Sequence, residues 1–132
     1  MRINEIFIYT DAACKSNPGN AMIAVLIKDN KQNILEKFCE EIKNTTSNQA
    51  EYRAVLKGME AALKHCRNKI KVFSDNKLLI QQLNGNYRIR NKNLLELIKQ
   101  IKILELLFDK VEYKYVRRSK NKHAHKLAKR FL

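Results

Sequence analysis

Two carboxylates each follow an apolar segment that is typical of a buried strand. Asp11 comes directly after INEIFIYT (3–10), where the apolar run meets a turn, and Asp75 follows IKVFS (70–74) in the same way. Side chains just past buried strands lie at the edge of a sheet, where ligands of α/β folds bind. Each acid alone is more typical of a turn or cap, but two at equivalent strand ends favour a functional site.

Glu51 is a third candidate, within a predicted helix over residues 48–66. It lies four positions before Val55, on the apolar stripe of that helix, so its side chain is predicted to face inward. An ionised carboxylate on such a stripe is costly unless its charge is compensated. A metal ion shared with the two strand-end acids would compensate it. The alternative is a first-turn glutamate stabilised by the helix dipole.

His125 is the fourth candidate, on a helix predicted over residues 121–131. It follows Asn121 by four positions and shares a helix face with Ala128, whereas His123 points elsewhere. A single helical histidine is more typical of packing or of the surface. His125 therefore becomes a functional candidate if its helix face meets the two strand ends.

The elements that must position these side chains follow from hydrophobic periodicity. Three strands joined by short turns favour an antiparallel meander, and a mixed sheet with alternating helices follows it. We therefore predict one α/β domain over residues 1–132, with a five-stranded mixed sheet, helices on both faces and the order βββαβααβα. The predicted elements are strands 3–10, 21–28 and 32–41, helix 48–66, strand 70–74, helices 76–84 and 92–108, strand 111–116 and helix 121–131.

The amino-acid composition indicates which classes of partner the protein could bind. The 132 residues include 27 Lys and Arg and 13 Asp and Glu, which gives a formal net charge of +14. Such an excess favours nucleic acid or an acidic membrane surface, although a well-solvated lysine-rich surface is the alternative. The 3 cysteines form no C-x-x-C pair, which fits a reducing compartment. No apolar run approaches the roughly 20 residues of a membrane span, so we expect a soluble, cytoplasmic protein without membrane contact.

Four motifs in the right order carry a family resemblance. They are DAACKSNPG (11–19), TSNQAEYRA (46–54), SDN (74–76) and NKHAHKLA (121–128). Together they resemble the D-G-[SA]-x-x-x-N-P-G, T-N-N-x-x-E-x-x-A, [ST]-D-[SN] and N-x-x-A-D-x-L-A motifs of type 1 ribonuclease H. The resemblance covers nearly the whole chain and implies a ribonuclease H-like fold.

Two short connections resemble the compact, archaeal-type subgroup of that family. Residues 83–91 lead directly into the long helix, which leaves no room for the extra basic helix of the larger enzymes. Only residues 117–120 separate the fifth strand from Asn121, so the flexible histidine loop of some members is missing.

The resemblance implies cleavage of the RNA strand of RNA–DNA hybrids, giving 3′-hydroxyl and 5′-phosphate ends. Two divalent ions, Mg²⁺ or Mn²⁺, would stabilise the attacking water and the leaving oxygen of an in-line displacement. By the same resemblance Asp11 bridges the ions, Glu51 and Asp75 complete the leaving-group side, and His125 holds the ion that activates water.

Substrate contacts also follow from the resemblance. Six residues match positions that touch ribose hydroxyls or phosphates, and contacts to 2′-hydroxyls separate RNA from DNA. These are Asn17, Thr46, Ser47, Asn48, Gln49 and Asn76. Arg117 or Arg118 would replace the missing histidine loop near the leaving group. Tyr87, Arg88, Arg90 and Lys92 form an aromatic and basic run that is typical of a backbone-gripping loop, or else of a solvated surface loop.

Two residues depart from the family pattern. His125 stands where the family has Asp, and imidazole suits Mn²⁺ better than Mg²⁺, so we expect a relative preference for Mn²⁺. Because only neutral imidazole ligates, activity should fall as the pH drops through about 6.5, the unperturbed histidine pKa. Ala12 replaces the usual glycine and places a methyl group near the expected path of the RNA.

Two other functions stay open at this point. A catalytically weak or inactive module that binds hybrid or double-stranded RNA would explain His125 and Ala12, but three intact acids argue against it. A nuclease or integrase relative with a DNA substrate is disfavoured by the 2′-hydroxyl-reading positions. We expect a monomer, with cleavage of double-stranded RNA as a side activity.

Overall fold

The computed structural model describes residues 3–130 and contains the elements in the predicted order. The helix predicted over 121–131 therefore extends one residue beyond the described part of the chain. The elements are β1 (Glu5–Cys14), β2 (Gly19–Asp29), β3 (Ile34–Thr45), α1 (Ser47–Ala62), β4 (Lys69–Ser74), α2 (Lys77–Leu83), α3 (Lys92–Glu105), β5 (Lys110–Tyr115), a 3₁₀ turn (Arg118–Lys120) and α4 (Lys122–Lys129).

The five strands form one mixed sheet in the order β3-β2-β1-β4-β5. Strands β1 to β3 are antiparallel neighbours, as the meander predicted, while β4 runs parallel to β1 and β5 runs parallel to β4. Tyr9 is in register with Phe73. The carboxyl ends of the two central strands therefore meet at one edge of the sheet, which brings the segments containing Asp11 and Asp75 side by side.

Helices cover both faces of the sheet, as predicted. On one face α1 lies so close to the strands that a Cβ on Gly58 would come within 2.8 Å of Ile8 Cγ2. On the other face, Leu127 and Ala128 of α4 pack against Ala24 of β2. Helix α3 packs on the outer side of α1 and contributes to the main core.

Several boundaries differ from the sequence prediction. Asp11 does not end the first strand: β1 continues to Cys14, and Asp11 is paired with Ala24. The prediction was wrong because the backbone ladder with β2 continues whatever the polarity of the side chain. Helix α1 ends at Ala62 rather than at residue 66, and α3 ends at Glu105 rather than at residue 108.

A capping box forms at the start of α1. Thr46 is the N-cap, its side chain accepts a hydrogen bond from the Gln49 amide, and the Gln49 side chain accepts one from the Thr46 amide. This reciprocal pair satisfies two otherwise free amides and holds the first turn of the helix in place. Within the described residues, no helix is long and apolar enough to cross a membrane.

Candidate active site

Strand β1 places Asp11 at the centre of a polar cluster. The side chain is 3% exposed, and its Oδ2 lies 2.7 Å from Nδ1 of His125. An ionised carboxylate can only accept, so Nδ1 carries the hydrogen and donates it to Asp11. The other ring nitrogen of a neutral His125, Nε2, then keeps a lone pair for a metal ion or a proton.

Asp75 completes the cluster from the neighbouring strand. It lies directly beyond β4, and one ligand atom from each of Asp11, Asp75 and His125 lies within 4.8 Å of the other two. The sequence prediction that His125 meets the strand-end acids is therefore supported by the geometry. Oxygen and imidazole ligands at this spacing suit Mg²⁺ or Mn²⁺.

Glu51 adjoins the cluster through Asp11. It lies in the second turn of α1, accepts a hydrogen bond from the Ala12 amide and shares a side-chain hydrogen bond with Asp11. Burial, followed by the charges of Asp11 and Asp75, raises the pKa of Glu51 well above its usual range. A shifted pKa of this origin shows that the carboxyl lies among other negative charges and is poorly compensated by the protein.

Asp11 is affected by the same shortage of positive charge. Burial and the charge of Asp75 raise its pKa, while the hydrogen bond from His125 acts in the opposite direction. Three carboxyl groups thus converge beside one imidazole, and the cation that pairs with Asp75, Arg118, is exposed. A divalent cation bound here would compensate that charge, so the donor set and the electrostatics both fit the predicted metal site.

Arg118 reaches the rim of the cluster. Its Nε lies 3.4 Å from Oδ2 of Asp75, although the arginine side chain is 68% exposed. Such an exposed pair contributes little stability and leaves the guanidinium free to turn toward a phosphate. Arg117, the other candidate, is exposed and precedes the 3₁₀ turn.

Asn121 has a positioning role that the sequence did not predict. Its Nδ2 donates to the Thr10 carbonyl at 2.9 Å, and its own carbonyl accepts from the His125 amide at 3.0 Å. Asn121 therefore fixes the start of α4 against β1, one residue from Asp11 and one helical turn from His125. The four-residue spacing to His125 was the signal available in the sequence, but it did not identify Thr10 as the partner.

The predicted substrate-contacting residues gather at two helix starts. Asn17 Oδ1 accepts from the Ser47 amide at 3.0 Å, which ties the β1–β2 turn to the start of α1. Thr46 and Gln49 hold the capping box, and Asn76 caps α2 by accepting from the Leu79 amide at 3.1 Å. Most of these side chains thus have a structural role.

The remaining predicted contacts lie on exposed segments. Asn48 is exposed in the first turn of α1, and the aromatic and basic run before α3 is also exposed. Its members are Tyr87, Arg88, Arg90 and Lys92. Within the described residues, no hydrogen bond or ion pair joins this run to the acidic cluster.

Residues 9–131 match the family model described as reverse transcriptase-like. A ribonuclease H of Caldicellulosiruptor saccharolyticus is 30% identical over 127 residues, covering 83% of this chain and 84% of that protein. The chain belongs to the ribonuclease H family.

Solved structures agree with this assignment of the ribonuclease H domain. RNase H1 from the halophilic archaeon Halobacterium salinarum superposes with a TM-score of 0.91 at 28% identity, covering 95% of each chain. LC11-RNase H1, solved in complex with an RNA/DNA hybrid, superposes with a TM-score of 0.88 at 30% identity, covering 95% of this chain and 94% of that one. The predicted family and ribonuclease H-like fold are confirmed.

Other relatives are much longer than this ribonuclease H domain. A bifunctional protein of Mycobacterium tuberculosis is 30% identical over 125 residues, which is 94% of this chain but 34% of that protein. The chain thus spans about a third of the length of the first curated relatives that it matches. The ribonuclease H assignment applies to the domain formed by these residues.

Proposed function

We propose that this domain hydrolyses the RNA strand of RNA–DNA hybrids and leaves 3′-hydroxyl and 5′-phosphate ends. The convergence of Asp11, Asp75 and His125 within 4.8 Å carries the proposal. Membership of the ribonuclease H family and the likeness to a hybrid-bound RNase H1 support it.

In this proposal Asp11, Glu51, Asp75 and His125 would hold two divalent metal ions. When bound, the ions lower the barrier by stabilising the charge that develops on the attacking and leaving oxygens. Asp11, which contacts both His125 and Glu51, would be a ligand of both ions. Glu51 and Asp75 would hold the leaving-group side, and His125 would hold the side where water attacks.

The chain's own residues orient the substrate around this centre. Arg118, which reaches Asp75, is placed to bind the phosphate next to the leaving oxygen, with Arg117 beside it. Asn17, Ser47 and Asn48 surround the start of α1, where amides and polar side chains suit ribose hydroxyls and phosphates. The capping residues Thr46, Gln49 and Asn76 then contribute by fixing the two helix starts.

The finer predictions from the sequence stay part of this proposal. We expect the domain to act as a monomer, to be cytoplasmic and to cleave double-stranded RNA as a side activity. Its formal net charge of +14 supports tight binding to either duplex, and that binding should weaken steeply with added salt.

Cleavage of a hybrid labelled on its RNA strand tests the function. We expect cleavage in Mg²⁺ or Mn²⁺, and an Asp11→Asn variant should lose at least about a thousand-fold in rate, which equals about 4 kcal/mol. Asp109→Asn makes the same chemical change at an exposed site and should keep the wild-type rate. The 3′-hydroxyl is checked by extension of the product with a polymerase.

Two results would contradict the proposal. Equal rates for Asp11→Asn and the wild type would assign the cleavage to a contaminant. Tight hybrid binding without cleavage in either metal would instead support the non-catalytic binding module.

The metal preference is tested in the same assay with His125→Asp. Restoring a carboxylate should lower the ratio of the Mn²⁺ rate to the Mg²⁺ rate several-fold, since imidazole favours Mn²⁺. His125→Ala should change the rate or the metal preference. If it leaves both unchanged, His125 is not a ligand.

A further inference from the structure

A cavity lined by both apolar and polar residues lies beside the catalytic cluster, on the face of the sheet that α4 only partly covers. It measures about 350 Å³ between β1, β2, the β2–β3 turn and the start of α4. The polar and aromatic residues that line it are Tyr9, Lys28, Gln32, Lys120, Asn121 and His123. We call it the β1–α4 cavity.

The β1–α4 cavity adjoins the active site through two of its walls. Tyr9 precedes Asp11 by two residues on the same strand, a distance of about 6.6 Å along β1. Asn121 lies one helical turn before His125. A strand of nucleic acid that leaves the catalytic cluster along β1 therefore meets this cavity next.

Positive charge without acidic partners surrounds the cavity. Lys28 and Lys120 line it, and no carboxylate in the described part of the chain forms an ion pair with either. Burial, followed by the charges of Lys37, Lys28, Lys126 and Arg130, lowers the pKa of His123. Two lysines thus line the cavity, and three further cations lie close enough to act on the His123 ring in its wall, which favours an anionic ligand.

Aromatic and hydrogen-bonding groups supply the other features of a nucleotide site. The ring of Tyr9 stacks on Phe73 with centroids 4.8 Å apart, and Lys28 Nζ lies 5.4 Å from the Tyr9 centroid. The side chain of Gln32 hydrogen-bonds Tyr9. Aromatic rings interleaved with cations on a sheet are typical of surfaces that bind single-stranded nucleic acid.

Asn121 adds an unsatisfied acceptor at the cavity wall. The residue is 2% exposed, its Nδ2 is bonded to Thr10, and its Oδ1 is the only buried side-chain polar atom without a partner among the residues described. Buried acceptors without partners are rare in folded proteins. The oxygen is shielded from solvent, so it marks an incompletely satisfied wall of the cavity rather than a ligand contact.

We propose that the β1–α4 cavity binds a nucleotide of a single-stranded segment flanking the hybrid. The location of the hybrid rests on the proposed function, whereas the chemistry of the cavity does not. The same chemistry would also accept a free mononucleotide. Because a bound tail would add affinity, the site would favour hybrids that end in a single-stranded tail.

Binding of a short fluorescent oligouridylate, measured by anisotropy without divalent metal, tests the cavity directly. We expect Lys28→Glu to weaken binding about ten-fold, because it reverses the charge of a lysine that would contact a phosphate of the bound strand. Lys28→Ala should give a smaller loss in the same direction. Lys99→Glu makes the same charge change on the exposed surface of α3 and should change affinity less than about two-fold.

Three controls in this experiment distinguish the proposed ligand from other anionic ligands. Equal effects of Lys28→Glu and Lys99→Glu would overturn the site in favour of non-specific charge. Displacement of the oligouridylate by polyglutamate at equal charge concentration would overturn it in favour of an acidic peptide. If uridine monophosphate binds as tightly as the oligonucleotide, the cavity serves a free nucleotide and the strand assignment is wrong.

Cleavage assays connect the cavity to the active site. For the wild type, a single-stranded tail should lower the KM of a hybrid relative to its blunt form, and Lys28→Glu should abolish that difference. Equal KM values for tailed and blunt hybrids in the wild type would overturn the flanking role. If the wild type cleaves neither hybrid, the proposed function fails, while the binding result still decides whether the cavity holds a nucleotide.

Discussion

The two faces of the sheet differ in what covers them. On the face under α1, Ile8, Val25 and Met59 are fully buried, and Gly58 lets the helix backbone approach the strands closely. On the face under α4, the aromatic rings of β1 and β4 stay half-buried and lysines lie over them. One face therefore provides most of the stability, while the other keeps polar groups within reach of a ligand.

This difference explains how a small domain can hold several poorly compensated carboxyl groups. Burying charge without a partner costs free energy, which the packing under α1 must offset. The active-site cluster lies at the sheet edge between the two faces, so Glu51 approaches from one side and His125 from the other. Substitutions on the two faces should consequently separate stability from activity.

Met59→Ala should have the largest effect on stability. Met59 is fully buried in the main core, and truncating such a side chain costs about 2–5 kcal/mol. The rate of hybrid cleavage should be unchanged at temperatures where the variant is folded. Urea unfolding measures the loss, and Leu106→Ala, at a site that is 82% exposed, should stay within about 0.5 kcal/mol of the wild type. A comparable loss in both variants would contradict the account of the α1 face.

Asn121→Ala should have an intermediate effect on stability and should also lower activity. It leaves the Thr10 carbonyl without its donor, at a cost of about 1–3 kcal/mol, and loosens the start of α4 that positions His125. We expect kcat to fall while KM for the hybrid changes little. Asn84→Ala removes a longer bond, 3.3 Å to the Tyr113 carbonyl, at an exposed residue and should leave kcat unaltered. An unchanged kcat in Asn121→Ala would remove its positioning role.

Glu51→Gln should have the smallest effect on stability, seen as a change in the pH dependence of unfolding without metal. The raised pKa means that folded Glu51 keeps its proton above 4.5, its ordinary value, whereas the unfolded chain releases it there. The free energy of unfolding of the wild type should therefore fall as the pH rises from 4.5 through the folded pKa, and then level off. In Glu51→Gln this contribution is absent.

The test is urea unfolding in EDTA over that pH range. The free energy of unfolding of the variant should rise relative to that of the wild type as the pH rises. Mn²⁺ should reduce this difference, because it compensates the charge of the ionised cluster. Glu60→Gln, an exposed glutamate of the same helix, is the matched control. Parallel curves for the wild type and Glu51→Gln would show that Glu51 is not held among uncompensated charges.

The sequence by itself determined the order of the elements and the family. Alternation in the strands, the apolar stripes of the helices and the capping segment around Thr46 all act over a few residues, so they can be recognised locally. The resemblance of the four motifs also predicted that Asp11, Glu51, Asp75 and His125 share one site. Exact boundaries were less predictable, because the strand pairing of Asp11 depends on β2 rather than on its own side chain.

Only the tertiary structure decided how distant segments meet. The bond from Asn121 to Thr10 joins residues 111 positions apart, and the bond from His125 to Asp11 joins residues 114 positions apart. No local pattern encodes such pairs, since they arise from the packing of α4 across the sheet. The β1–α4 cavity has the same origin, because it forms where a short helix leaves part of one sheet face uncovered.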